Sequence, residues 1–137
     1  MKFNELKSKE VNGKYGWVDN DGNFIIEPKY DSPCAECYND IVILEKNGYV
    51  GGIFLHNRKI AFKFMYRQLG WMYNETFQSI NADGTVILIK PGDIIISQHK
   101  YSSFYFNDHQ RFIRFVRYGL FRRIIEGTLD LETGEEV

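Results

Sequence analysis

The sequence predicts an all-β protein built from short antiparallel hairpins, and three observations predict it. Turn dipeptides recur along the chain, at Asn12-Gly13, Asp21-Gly22, Asn47-Gly48, Asp83-Gly84, Pro91-Gly92 and Thr133-Gly134. The stretches between them are short and rich in aromatic and β-branched residues, the composition that suits a pleated, half-buried strand. A pattern also repeats: Asn12-Gly13-Lys14-Tyr15-Gly16-Trp17-Val18 returns about 35 residues later as Asn47-Gly48-Tyr49-Val50-Gly51-Gly52-Ile53.

The elements follow in order. Asn-Gly is the strongest short-range hairpin signal, because a type I′ turn needs positive φ at both central residues. Strands are therefore expected over Tyr15–Asn20 and, after the Asp21-Gly22 turn, over Asn23–Glu27, with Pro28 ending the ladder because it lacks an N–H. Ile94–Ser102 echoes Phe24–Asp31, Phe112–Gly119 echoes Ile41–Gly48, and Gly127–Gly134 echoes Gly16–Gly22. Four degenerate repeats result, at residues 11–38, 39–73, 74–107 and 108–137, in one domain. A twisted sheet, open barrel or sandwich-like arrangement is expected, with room for one short helix. The segment RKIAFKFMYRQLGWM, from Arg58 to Met72, is the one place where helical spacing competes. It reads as strand, because Ile60, Phe62 and Phe64 alternate with Ala61 and Lys63.

Composition excludes several classes. With 44% hydrophobic residues in 137, the chain has material for a packed core. Its formal charge of −1, from 17 Lys+Arg against 18 Asp+Glu, creates no global field toward nucleic acid or anionic lipid. The opening MKFNELKSKE lacks the apolar region of a signal peptide, and the aliphatic runs Val86–Ile89 and Ile94–Ile96 are too short to span a bilayer. A soluble, cytoplasmic protein with no membrane partner is expected.

Residues 13–31 carry a family pattern. Gly13-Lys14-Tyr15-Gly16-Trp17-Val18-Asp19, then Gly22, Ile25-Ile26, Pro28 and Tyr30-Asp31, resemble the WG-repeat proteins, which are widespread in bacteria. Tyr15 stands where that family usually has Trp, and Glu27 replaces its first Pro. The resemblance implies an all-β module without a common catalytic activity.

Candidate chemistry centres on the C-terminal third. Arg111, Arg114, Arg117, Arg122 and Arg123 are interleaved with Phe112, Phe115, Tyr118 and Phe121, after Tyr101, Phe104, Tyr105 and Phe106. Arg111, Arg114, Arg117, Tyr118, Arg122, Arg123 and Tyr105 are the candidate binding residues. Arginine and tyrosine are enriched at protein–protein hot spots, so another protein is the first expected partner. The same set on an open sheet face could bind single-stranded nucleic acid, RNA included, by phosphate pairing and base stacking, or inhibit a nucleic-acid enzyme. A third reading is structural, with the aromatics in the core and the arginines facing Asp130, Glu132, Glu135 and Glu136 as cross-strand pairs.

Enzyme readings have less to stand on. Nucleophile-elbow, P-loop, dinucleotide and zinc-protease signatures are absent from the sequence. Cys34 and Cys37 form C-x-x-C in a Pro-marked loop rather than at a helix start, and His56, His99 and His109 lack ligand spacing. A Cys37 nucleophile would have to meet His99 or His109 in space. Asp19, Asp21 and Asn23 alternate like cation ligands, but the Asp21-Gly22 turn already accounts for them. Trp17 and Trp71 could stack on a sugar, although Trp17 sits in the repeat motif and reads as core. The expectation is a small non-enzymatic adaptor, inhibitor or immunity-type protein without metal or cofactor.

Overall fold

In the computed structural model, which describes residues 1–105 and 108–137, the chain is all-β and no α-helix occurs among the described residues. It forms two compact units, Met1–Met65 and Tyr66–Val137. No helix among the described residues is long and apolar enough to cross a membrane.

The first unit holds two antiparallel sheets. Strands β1 (Lys7–Val11), β2 (Lys14–Val18) and β3 (Phe24–Tyr30) form one, in sequence order. Strands β4 (Glu36–Tyr38), β5 (Ile41–Lys46), β6 (Tyr49–Phe54) and β7 (Ile60–Tyr66) form the other, also in order, with Tyr66 the first residue of the second unit. Leu6, Trp17, Ile26, Tyr30, Val42, Leu44, Ile53 and Leu55 make one buried core between them, and Phe3, Trp17, Tyr30 and Phe64 pack ring to ring through it. Trp17 is 3% exposed, which places it in the core as its motif position suggests.

Both Asn-Gly hairpins form with the left-handed pair of residues that the sequence implied. Asn12 and Gly13 have φ of 51° and 83°, and Asn47 and Gly48 have 53° and 83°. Asp19 closes the next turn by accepting the Asp21 and Asn23 amides on Oδ1, so its carboxylate serves the turn.

Pro28 does not end its strand. β3 continues through it to Tyr30, which pairs with Tyr15, and the register between β2 and β3 shifts between Tyr15 and Trp17. The irregularity absorbs the missing donor, as bulges do. Gly16 makes this possible: a Cβ there would lie 2.5 Å from the Ile26 carbonyl oxygen and 2.7 Å from the Pro28 nitrogen.

The second unit also has two sheets. Strands β8 (Leu69–Tyr73), β9 (Thr76–Ile80), β10 (Val86–Lys90) and β11 (Ile94–Ile95) form a meander, and β12 (Ser103–Phe104), β13 (Phe112–Tyr118) and β14 (Ile124–Asp130) form the other. Met72, Leu88, Tyr101, Ile113, Phe115, Leu129 and Leu131 build its core. The buried Thr76 hydroxyl donates to the Leu131 carbonyl at 2.7 Å, so this buried polar group is satisfied. Arg58–Met72, the ambiguous segment, is strand over Ile60–Tyr66 and again from Leu69.

Candidate functional site

The candidate residues lie on or beside β12–β14, and the strand period divides them. On β13, Ile113, Phe115 and Arg117 face inward, while Phe112, Arg114 and Tyr118 are exposed on the other side. Cross-strand pairing extends both faces. Ile113 opposes Leu129 and Phe115 opposes Gly127 inside, whereas Arg114 opposes Thr128, Val116 opposes Glu126 and Tyr118 opposes Ile124 outside.

Two of the arginines are engaged by carboxylates. Arg111 donates from Nε and one Nη to Asp130, at 3.0 and 2.9 Å. This bidentate pairing holds the Asp130 carboxyl down at about 2, with the Glu132 amide adding a further bond. Arg117 grips Glu136 in the same way at 2.8 and 3.0 Å, and Glu136 also accepts from the Tyr101 hydroxyl. The Arg117 bond lowers the Glu136 carboxyl below its usual range. Arg111 and Arg117 therefore tie β13 to Asp130 and to the segment beyond β14, the role that cross-strand charge pairing predicts.

The other candidates form an open face. Among the described residues Arg114 donates to the Thr128 hydroxyl, at 3.3 Å, and Tyr105 donates to Glu126 at 3.0 Å. Arg122 and Arg123 make no ion pair among the described residues. With Phe112, Tyr118 and Ile124 also exposed, this surface combines rings, aliphatic carbon and three arginines that make no ion pair among the described residues. Phe106 lies outside the described residues.

Sequence reasoning overlooked the apex of the β13–β14 hairpin. The Arg123 amide bonds the Leu120 carbonyl across Phe121 and Arg122, whose φ angles are 54° and 58°. Most other left-handed positions among the described residues hold Asn, Asp or Gly, with Arg58 and His109 the exceptions; here a phenylalanine and an arginine stand side by side in that conformation. A bulky residue there costs on the order of 1–2 kcal/mol. Phe121 is fully exposed and Leu120 is 84% exposed, so no burial within the unit offsets that cost. No local sequence signal marks this turn: the stretch on which the β13–β14 register centres it has no Asn or Gly at its middle.

The first unit has a cavity of about 620 Å³. Phe3, Cys37 and Leu55 contribute apolar wall, Glu36 and Asp40 bring carboxylates, and Lys2 brings one opposing charge. Cys37 lies on β4 rather than in the loop expected from Pro33, whereas Cys34 is in that loop and exposed. Burial, and then the negative charge of Asp40, push the Cys37 thiol up, although the Asp40 amide pulls it back in part. A raised thiol is poorly suited to nucleophilic attack. His56 pairs with Asp40. His109 stacks on Trp71 at 4.0 Å and bonds the Met72 carbonyl, and His99 lies 3.9 Å from Glu136. With His109 on its face, Trp71 is not an open stacking platform for a sugar. No His/Cys/Asp/Glu group suited to a metal occurs among the described residues.

Comparison with family models and with curated protein sequences finds no match, so the resemblance to WG-repeat proteins stands on residues 13–31 alone.

Proposed function

We propose that this chain is a non-enzymatic, WG-repeat-like binding module that engages another protein through the exposed side of β12–β14. The observation that carries this reading is the partition of β13. One side is committed to the core and to Arg117–Glu136, while Phe112, Arg114 and Tyr118 on the other side are exposed. Solvent-exposed rings beside arginine are the composition of interface hot spots. With Arg111 and Arg117 neutralised, three cations are left, Arg114, Arg122 and Arg123. That is a short electrostatic footprint for nucleic acid, whose binding scales with the phosphates neutralised. Adaptor, inhibitor and immunity-type roles all fit such a module.

Affinity capture of the tagged protein, with and without nuclease, tests the reading. The expected result is a protein partner whose recovery is unchanged by nuclease. Loss of every partner after nuclease, or steep weakening between about 50 and 200 mM salt, would favour the nucleic-acid reading instead.

A further inference from the structure

We propose that Asn12-Gly13 is a site of spontaneous deamidation, and that the Asp31 carboxylate, by holding the Gly48 N–H, keeps the otherwise matching Asn47-Gly48 turn from the same reaction.

The reaction needs only water as co-reactant. The glycine backbone nitrogen gives up its proton and bonds to the asparagine Cγ. The bond from Cγ to the side-chain nitrogen breaks, and that nitrogen leaves as ammonia. Water then opens the five-membered imide at either carbonyl, which yields Asp or an isoaspartyl linkage with one extra methylene in the main chain. Glycine hinders this attack least, because it has no Cβ.

In conformation and exposure the two turns match. Asn12 and Gly13 have φ of 51° and 83°, against 53° and 83° for Asn47 and Gly48. All four residues are exposed, and a Cβ built on either glycine would meet nothing within 4 Å, so solvent reaches both alike.

Their amides differ. The Gly48 N–H donates to Asp31 Oδ2 at 2.8 Å. Asp31 is itself fixed in place: its amide donates to the Glu45 carbonyl at 2.8 Å, and its Oδ1 accepts from Lys14 Nζ at 2.8 Å. Among the described residues no side chain accepts from the Gly13 amide. Taking the proton from Gly48 breaks a charge-assisted bond and sets an amide anion against a carboxylate, and both effects raise the barrier. Lys14 offsets part of that charge but sits on the other carboxylate oxygen. Gly13 meets neither obstacle. Asn47 should therefore react at least about tenfold more slowly than Asn12, the factor given by losing one such bond on the way to the transition state.

At Asn12 the product bears on the fold. The two-residue loop sets the β1–β2 register from Val11 opposite Lys14 to Lys7 opposite Val18, and loop length fixes register in a hairpin. Every residue of β1 is exposed, and the strand lies at the edge of its sheet with β2 as its neighbour. An isoaspartyl linkage at residue 12 thus loosens an edge strand that has little besides its ladder to hold it.

The test is timed incubation of the folded protein in warm, mildly alkaline buffer, read by peptide mass spectrometry and by labelling with protein isoaspartyl methyltransferase. In wild type Asn12 should convert well before Asn47, whereas in urea the two should react alike. Asp31→Ala should bring Asn47 up to the Asn12 rate and leave Asn12 unchanged. Lys14→Met removes the ion pair but not the acceptor of the Gly48 amide, so Asn47 should stay slow. Amide hydrogen exchange of the wild type gives a readout that needs no variant: base-catalysed exchange removes the same proton, and Gly48 should exchange at least about tenfold more slowly than Gly13.

An unmodified Asn12, equal rates at the two sites in the folded wild type, an Asn47 that stays slow in Asp31→Ala, or one that speeds up in Lys14→Met would overturn the proposal. So would equal exchange of the Gly13 and Gly48 amides. A rise at both sites in Asp31→Ala would report unfolding of that variant, and the exchange comparison then decides. None of these results touches capture of a foreign protein by the exposed face of β12–β14, so the two readings fail separately.

Discussion

Replacing Gly16 with alanine is expected to cost about 3 kcal/mol or more and to lower the melting temperature by on the order of 15 °C. Its added Cβ would sit 2.5, 2.7 and 2.8 Å from the Ile26 oxygen, the Pro28 nitrogen and the Glu27 carbonyl carbon. All three are backbone atoms of β3 and cannot swing aside as a side chain would. The register shift that lets Pro28 remain in the strand would have to open, and Tyr30, which pairs beyond it and is buried in the core, would be displaced. Gly13→Ala is the control. Nothing lies within 4 Å of its Cβ position, so only its φ of 83° is penalised and a cost of about 1 kcal/mol is expected. Thermal melts of the two variants, followed by circular dichroism, make the comparison; equal, small losses would mean that β2 and β3 do not approach as described.

Phe115→Ala is expected to cost about 3–5 kcal/mol, whereas Arg114→Ala, one residue away, should stay within about 0.5 kcal/mol of wild type. Phe115 is 2% exposed and meets Tyr101 edge-on at 5.0 Å. It also fills the space over Gly127, where a Cβ would lie 2.9 Å from the ring. Removing the ring leaves a cavity bounded by the Tyr101 ring and the β14 backbone. Arg114 gives up only a long bond to a hydroxyl. Urea unfolding of both variants reads the difference. Comparable costs would contradict the assignment of Phe115 and Arg114 to opposite faces of β13.

Much of the architecture was legible because turn chemistry is local. Asn-Gly at residues 12–13 and 47–48 admits few backbones, and the alternation of Ile60, Phe62 and Phe64 outweighed the helical spacing around them. Pro28 was misread because its tolerance depends on Gly16, twelve residues earlier, across a bulge that no local signal announces. The arginines were legible as a cluster but not as two groups. Which of them find acids depends on where Asp130 and Glu136 are brought, and that is a matter of register and of the segment after β14. Phe121 was overlooked for the opposite reason. Its neighbourhood contains no turn signal, and a left-handed phenylalanine is disfavoured enough that composition argues against the turn it makes.

The central claim is that the exposed side of β12–β14 binds protein while the inner side holds the fold. Its most direct measurement is Arg114→Glu combined with Tyr118→Ser, assayed for capture of the nuclease-resistant partner and for melting temperature on the same preparation. Partner recovery reduced at least about tenfold, with a melting temperature within a few degrees of wild type, is the predicted result. Full recovery of the partner, or loss of recovery only in step with a collapse in stability, would contradict it.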